Sequence, residues 1–299
     1  MNKQLKSTTM LLGLSLTGLS LACSIDGKDG FLPENDFYIP VDEKNVTGLT
    51  EAQFNAAIDK VEAIYAPIVA NMGAKLVIAR RWTDGTVNAN ASQNGKTWNV
   101  NMYGGLARHQ TVTEDGMSLV VCHEIGHHIG GAPRKGGGGW WNRVGAASWA
   151  SNEGQSDYFA TLKCLRKAFL NEDNVAIARR MNPPREVIDA CSRVTQNQIQ
   201  DTAICIRTSM AGKSVANLFS ALSRTPETKF NTPDQAVVGK TDDNHPKAQC
   251  RLDTYFQGSL CDAALNEDVS PTDEAKGTCH PSLGHRIGVR PLCWFKPSR

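Results

Sequence analysis

Apolar residues recur at helical spacing between positions 51 and 71. They are Phe54, Ala57, Ile58, Val61, Ile64, Tyr65 and Ile68. This spacing places them on one face of a helix that packs against a core. Thr50, followed three residues later by Gln53, forms a capping box, which marks the start of a helix. We therefore predict a core-packed helix over 51–71.

Two later segments have the pattern of strands. The first covers 75–80, and the second runs through Trp98, Val100 and Met102, which alternate with asparagines. The polar stretch between them, 88–95, is interpreted as a loop. These patterns predict a small antiparallel sheet ahead of the next helix.

That next helix carries two histidines. The run 119–122 is apolar, Thr113 is a suitable N-cap, and the Gly-Gly pair at 130–131 predicts the helix end. Further on, 184–222 is predicted to be largely helical and 224–248 to form loops. Together the patterns indicate an α+β fold with a mostly helical C-terminal part.

The two histidines belong to the sequence H-E-x-x-H, with His123, Glu124 and His127 in the fixed places. Histidines four apart lie on one helical face, so their imidazoles can converge on one metal ion. Glu124 projects about 100° around the helix from His123. It can therefore act as a base beside the metal without binding it.

A second motif, N-E-x-x-S-D at 152–157, supplies carboxylates. A catalytic zinc ion takes three protein ligands, and Glu153 is the candidate third ligand. Asp157 lies one turn beyond it on the same face, placed to accept the N–H of a ligating imidazole. The alternative is a buried helix with hydrogen-bonded core histidines, which leaves Glu124 and Asp157 without explanation.

These two motifs together resemble those of the gluzincin metallopeptidases, which include thermolysin-like enzymes. The resemblance implies a zincin-like fold in which one Zn²⁺ ion is held by His123, His127 and Glu153. It also implies peptide-bond hydrolysis through a metal-activated water, with Glu124 as the general base. In zincins the strand before this helix lines the cleft and pairs with extended substrate. An ordinary half-buried strand is the alternative.

A third motif, H-P-x-x-x-x-R at 245–251, resembles that of the CAAX prenyl proteases and HtpX-like peptidases. In that family a downstream histidine and arginine steady the substrate and the oxyanion, which implies catalytic roles for His245 and Arg251. The alternative is structural: the His-Pro pair starts a turn, and Arg251 pairs with an acid such as Asp253 or Asp157.

The first residues have the pattern of an export signal. A short basic region precedes the apolar stretch 10–21, which is too short to span a bilayer. The signal ends at Ala-Cys, which resembles a bacterial lipobox in which Cys23 becomes lipidated. The residue after the cysteine is Ser24 and not Asp, which resembles the pattern for outer-membrane sorting in enteric-type bacteria. The protein would then face the periplasm or the exterior. The same residues also suit an ordinary signal peptidase, so simple secretion is the alternative.

Eight further cysteines predict up to four disulfides, because an exported chain meets an oxidising environment. They are Cys122, Cys164, Cys191, Cys205, Cys250, Cys261, Cys279 and Cys293. Their connectivity is open. The shortest loops join Cys191–Cys205, Cys250–Cys261 and Cys279–Cys293, which leaves Cys122 with Cys164. A buried, inert thiol is the alternative for Cys122.

Four segments are predicted. They are a signal peptide (1–22), a tether and irregular lead-in (23–48), the zincin-like metallopeptidase domain (49–265) and a disulfide-tied C-terminal cap (266–299). Glycines at 136–139 followed by Trp140 and Trp141 predict a loop, which is either a moving lid or a simple connection. His128, His280 and His285 are predicted to lie on the surface.

The charges of the chain are balanced. Thirty-two Lys and Arg, two of them in the leader, stand against thirty Asp and Glu. No basic footprint for nucleic acid is present. The expected partners are a protein or peptide substrate and a membrane, reached through a lipid on Cys23. Two other functions stay open: a non-catalytic metal-stabilised binding lipoprotein, and a zinc amidase acting on a cell-wall bond.

Overall fold

The computed structural model describes residues 30–43, 47–136 and 147–298. Helices and short strands are mixed along the chain, so the α+β class is confirmed. The helices are α1 (Glu51–Asn71), α2 (Gly104–Arg108), α3 (Glu114–Ile129), α4 (Glu153–Phe159), α5 (Leu165–Phe169), α6 (Asn174–Arg180), α7 (Arg185–Val194), α8 (Ile199–Leu222) and α9 (Ala248–Leu260). The strands are β1 (Lys75–Arg81), β2 (Ala89–Asn94), β3 (Thr97–Tyr103), β4 (Arg134–Gly136) and β5 (Ala147–Ser151). A π-helical turn, Ala160–Cys164, joins α4 to α5, and a 3₁₀ turn covers Pro281–Leu283.

Helix α1 has the predicted bounds. The side chain of Thr50 accepts a hydrogen bond from the backbone of Gln53, and the Gln53 side chain accepts from the backbone of Thr50, which completes the capping box. Phe54, Ile58 and Val61 on its apolar face are fully buried. The helix therefore forms one wall of the core.

The three-stranded sheet is mixed, not antiparallel as predicted. Its order is β1-β3-β2, with β1 parallel to β3 and β2 antiparallel to β3. The prediction failed because β2 was interpreted as part of the loop 88–95. With β2 present, the chain reverses direction twice between β1 and β3, and the two become parallel neighbours.

Strand β2 gave a weak signal because four of its six residues are alanine or asparagine, which are depleted in strands. Its small alanines nevertheless face inward, since Ala89 and Ala91 are fully buried. A two-residue turn joins β2 to β3, and Gly95 adopts a φ of 58°, which favours glycine. The sheet edge formed by β2 lies near α3.

Helix α3 runs through the centre of the molecule, packed by α1, α4, α8 and the sheet. Every residue from 115 to 128 is buried. Thr113 caps its start by accepting from Gly116 N at 3.1 Å. The predicted helix over 113–130 is thus confirmed, and burial on all sides holds its side chains in fixed directions.

All eight predicted cysteines form disulfides. The pairs are Cys122–Cys164, Cys191–Cys205, Cys250–Cys293 and Cys261–Cys279. The first two are the pairs that the shortest-loop argument gives, and the bond at Cys122 rules out the inert thiol. For the other four cysteines that argument is wrong, because it pairs Cys250 with Cys261 and Cys279 with Cys293. The C-terminal segment folds back over α9, so spatial neighbours replaced the nearest cysteines in sequence.

The ends of the described chain pack against the same core. Residues 30–43 have no helix or strand, as predicted for the lead-in, yet Phe31 and Leu32 are fully buried. At the other end Trp294 is fully buried, and its indole N–H donates to Thr254 Oγ1 at 2.9 Å. The helical prediction for 184–222 is confirmed by α7 and α8, and 225–247 forms loops.

Several predicted features lie outside the described residues. They are the signal peptide 1–22, the lipidation site Cys23, and the loop residues 137–141 with both tryptophans. In the described part of the chain, no helix is both long enough and apolar enough to pass through a bilayer.

Candidate metal site

Three side chains from two helices meet in the core. His123 and His127 project from α3, and Glu153 stands at the start of α4. His123 Nε2 lies 3.2 Å from Glu153 Oε2, and His127 Nε2 lies 3.7 Å from Glu153 Oε1. One ligand atom from each residue lies within 4.8 Å of the others, and all three side chains are fully buried. This group could hold a metal ion.

Local sequence explains how the three groups are aimed. The four-residue spacing places the two imidazoles on one face of α3, with ring centroids 4.7 Å apart. Asn152 caps α4 by accepting from Gln155 N at 2.9 Å. Because α4 begins directly after this cap, Glu153 occupies the first helical position, and its carboxylate faces the histidines.

The rear nitrogen of His123 is held by a charged network. Its Nδ1 lies 2.7 Å from Asp157 Oδ1, the contact that the sequence predicts. The same carboxylate oxygen accepts from Arg251 Nη2 at 2.5 Å and from the Tyr255 hydroxyl at 2.6 Å. Burial disfavours a protonated His123, but the carboxylates of Asp157 and, to a smaller extent, Glu153 outweigh it and raise the pKa of His123 to about 9. A donor N–H on Nδ1 leaves Nε2 facing Glu153.

The rear nitrogen of His127 has uncharged partners. Its Nδ1 donates to the backbone carbonyl of Ser151 at 2.9 Å, and Ser156 Oγ lies 3.1 Å from the same nitrogen. Burial, with no carboxylate behind the ring, lowers the pKa of His127 well below its usual value. This ring is therefore neutral, which is the form that binds metals.

Glu153 is flanked by two further basic groups. Lys135 Nζ donates to Oε1 at 2.7 Å, and His245 Nε2 lies 3.4 Å from Oε2. Burial disfavours the carboxylate, but His245 and Lys135 outweigh it and lower the pKa of Glu153 well below its usual value. The carboxylate is thus ionised and available as a ligand.

Three polar atoms at the meeting point lie close to one another but form no hydrogen bond of acceptable geometry among the described residues. They are His123 Nε2, His127 Nε2 and Glu153 Oε2. Buried polar atoms are nearly always paired, and three such atoms that point at one place match the donor set of a bound cation.

The remaining predicted site residues lie around this group. Glu124 is fully buried on α3 directly after His123. His245 reaches the site through its contact with Glu153. Arg251 is fully buried behind Asp157, which is the pairing that the structural alternative predicts. Its other nitrogen, Nη1, donates to Phe31 O at 3.0 Å.

Two of the three predicted surface histidines are wrong. His128 is buried and stacks between Trp98 and Trp149, with centroids 5.2 Å and 4.9 Å away. Burial lowers its pKa to about 4, so the ring packs as a neutral aromatic. His280 is also buried and caps the 3₁₀ turn. Only His285 of the three is partly exposed.

Sequence reasoning missed four contacting residues. Ser156 belongs to the N-E-x-x-S-D motif and could have been found there. Tyr255 follows Arg251 by four residues, so both lie on one face of α9, and this spacing was a usable signal. Lys135 and the Ser151 carbonyl had no local signal, because β4 and β5 bring them to the site.

In comparisons with models of protein families, with curated proteins and with solved structures, no match to this chain was found.

Proposed function

We propose that this chain is a zinc-dependent endopeptidase of the gluzincin type with a zincin-like fold. The observation that carries the proposal is the convergence of Glu153, from a separate helix, on the two histidines of H-E-x-x-H. Two imidazoles and one carboxylate are a ligand set of catalytic zinc, which keeps one position open. Glu124, next to His123 in sequence, supplies a carboxylate of the kind that such a site uses as a base.

The residues fit zinc on physical grounds. The unpaired His123 Nε2, His127 Nε2 and Glu153 Oε2 would all be satisfied by one cation. Imidazole nitrogens suit zinc, whereas calcium and magnesium prefer oxygen ligands throughout. Asp157 and the Ser151 carbonyl hold the rear nitrogens, which is the usual support for ligating histidines.

When bound, zinc would polarise the scissile carbonyl and lower the pKa of a water molecule towards neutrality. Glu124 would take the proton of that water on a carboxylate oxygen and pass it to the leaving amine nitrogen. Asp157, anchored by Arg251 and Tyr255, would hold the tautomer of His123. The buried setting would exclude bulk water and strengthen these interactions.

His245 is the proposed oxyanion donor. Its Nε2 is the polar atom of the third motif that reaches Glu153, and its side chain is only 11% exposed. Arg251 is proposed to act through Asp157, because its guanidinium lies behind that carboxylate. We expect His245→Ala to retain zinc while kcat falls by about 10²–10³, with little change in KM. Unchanged kcat per zinc-loaded molecule would remove His245 from the mechanism.

The proposed activity is tested by Glu124→Gln, which keeps the size of the side chain and removes the base. We expect zinc content and melting temperature to be retained, and casein hydrolysis to fall by about 10²–10⁴. Glu114→Gln is a matched control, since it makes the same change at an exposed position of α3. Near-wild-type hydrolysis by Glu124→Gln would refute the mechanism.

Four disulfides are typical of exported proteins, because the cytosol keeps thiols reduced. We propose further that the mature chain is anchored in the outer membrane by a lipid on Cys23, as the Ala-Cys ending of the leader indicates. Mass spectrometry of the mature N-terminus is the test. An unmodified N-terminus would favour simple secretion.

A further inference from the structure

The segment Gly30–Leu32 lies directly against the candidate metal site. Gly30 O lies 2.8 Å from His245 Nε2, the atom proposed to hold a substrate carbonyl. The Phe31 ring meets the His123 ring edge to face, with centroids 4.9 Å apart. A backbone carbonyl and an apolar side chain of this chain thus occupy places where a peptide substrate would make its contacts.

The segment makes one backbone contact with the sheet edge, and the chain that follows it makes two more. Phe31 N donates to Ala89 O at 2.8 Å, where Ala89 begins the edge strand β2. Further along, Val87 N donates to Phe37 O at 3.1 Å, and Tyr38 forms an antiparallel bridge with Thr86. Addition of an extended chain to a sheet edge is a common mode of peptide recognition.

Close approach at Gly30 depends on the absence of a side chain. A Cβ added there would overlap Ala89 O and Asn88 Oδ1. Phe31 is fully buried between the Arg251 guanidinium, 4.7 Å from its ring centroid, and Phe219. The packing at these two positions therefore requires a small residue followed by a large apolar one.

Access to the site is closed in this conformation. His123, His127, Glu124 and Glu153 are all fully buried. A cavity of about 350 Å³ lies beside the segment and is lined by Leu32, Phe219, Leu222 and His245, among others. Leu32 and His245 border the same cavity, and His245 contacts Glu153.

We propose that Gly30–Leu32 occupies the substrate position and keeps the enzyme latent until it is displaced. The segment also indicates the substrate class: a polypeptide with a small residue whose carbonyl meets His245, followed by a large apolar residue in the place of Phe31. This inference rests on the proposed peptidase function.

The test uses two variants of the full-length protein. One loosens the segment by removing a side chain, and the other by adding one. Phe31→Ala removes the buried anchor, and Gly30→Val introduces an overlap with the edge strand while keeping the anchor. The controls are Phe37→Ala, whose side chain is 41% exposed, and Gly239→Val, where added atoms meet nothing. We expect kcat/KM on casein to rise at least about tenfold in both variants and in neither control, because the open fraction increases.

A peptide added in trans provides a second measurement. The hexapeptide Gly-Phe-Leu-Pro-Glu-Asn, which copies 30–35, should inhibit Gly30→Val competitively, raising KM without changing kcat. The same peptide with Ala in place of Phe should inhibit at least about tenfold more weakly, because it lacks the apolar anchor.

The outcomes separate the two proposals. If wild type hydrolyses casein and neither variant exceeds it, the latency is refuted and the peptidase function stands. Loss of folding or of zinc in both variants would also refute the latency, because the segment would then be a permanent part of the core. If wild type and both variants bind zinc and cleave nothing, the proposed function itself fails.

Discussion

The two histidines of the candidate site are held in different ways. Behind His123 stand the Asp157 carboxylate, the Arg251 guanidinium and the Tyr255 hydroxyl. Behind His127 are a backbone carbonyl and the hydroxyl of Ser156. Both arrangements place a hydrogen-bond acceptor at Nδ1, yet only the first brings ionised groups into the core.

The consequence is an asymmetry in electrostatics and in stability. The pKa of His123 is raised to about 9, whereas that of His127 is lowered well below its usual value. The charged side depends on mutual compensation, because a buried ion that loses its partner is strongly destabilising. The neutral side depends on a backbone group that no side-chain substitution removes. Damage to the two sides should therefore have unequal costs.

We expect the largest effect from removing either imidazole. This change tests whether His123 and His127 bind the same ion. Wild type should contain about one zinc per chain, and both His123→Ala and His127→Ala should lose most of it. His280→Ala is the control, since His280 is buried and its ring contacts Glu274 and Ser282 but is not one of the three clustered residues. Metal analysis of purified protein decides the matter. Full zinc content in either site variant would place the ligands elsewhere.

The next effect compares the two supports directly. Asp157→Asn should weaken zinc binding by about 10–100-fold and lower the free energy of unfolding by roughly 3–5 kcal/mol, because Arg251 loses its buried counter-ion. Ser156→Ala should cost no more than about 1.5 kcal/mol, since His127 keeps the Ser151 carbonyl. Chelator competition and urea unfolding measure both quantities. Equal losses in the two variants would remove the asymmetry.

The smallest effect refines the charged side. Tyr255→Phe removes one hydrogen bond to an ionised carboxylate, for which we expect a loss of about 1.5–3 kcal/mol in unfolding free energy. Tyr65→Phe is the matched control, because the buried Tyr65 hydroxyl makes no hydrogen bond within the described ranges. That control should be neutral or slightly stabilising. A neutral Tyr255→Phe would show that Arg251 and His123 satisfy Asp157 without the hydroxyl.

Much of the candidate site was predictable because its chemistry is encoded at short range. Helical geometry puts His123 and His127 on one face, and the Asn152 cap fixes Glu153 at the start of its helix. The Asp157 contact followed from the same periodicity. The roles of Arg251 and His245 were less predictable, because a motif specifies that two residues approach a site and not which atom each will meet.

The fold, too, has parts that local sequence predicts and parts that it does not. The amino-acid sequence by itself determined α1, α3, the helical region 184–222 and the presence of an even set of disulfide cysteines, because periodicity, caps and composition act locally. Only the tertiary structure decided that β2 is a strand, that His128 is a buried aromatic, and that Cys250 pairs with Cys293. It also placed Lys135 and Gly30–Leu32 against the site. Each of these depends on groups far apart in the chain, whose contact is fixed by how the core packs and which buried polar atoms must find partners.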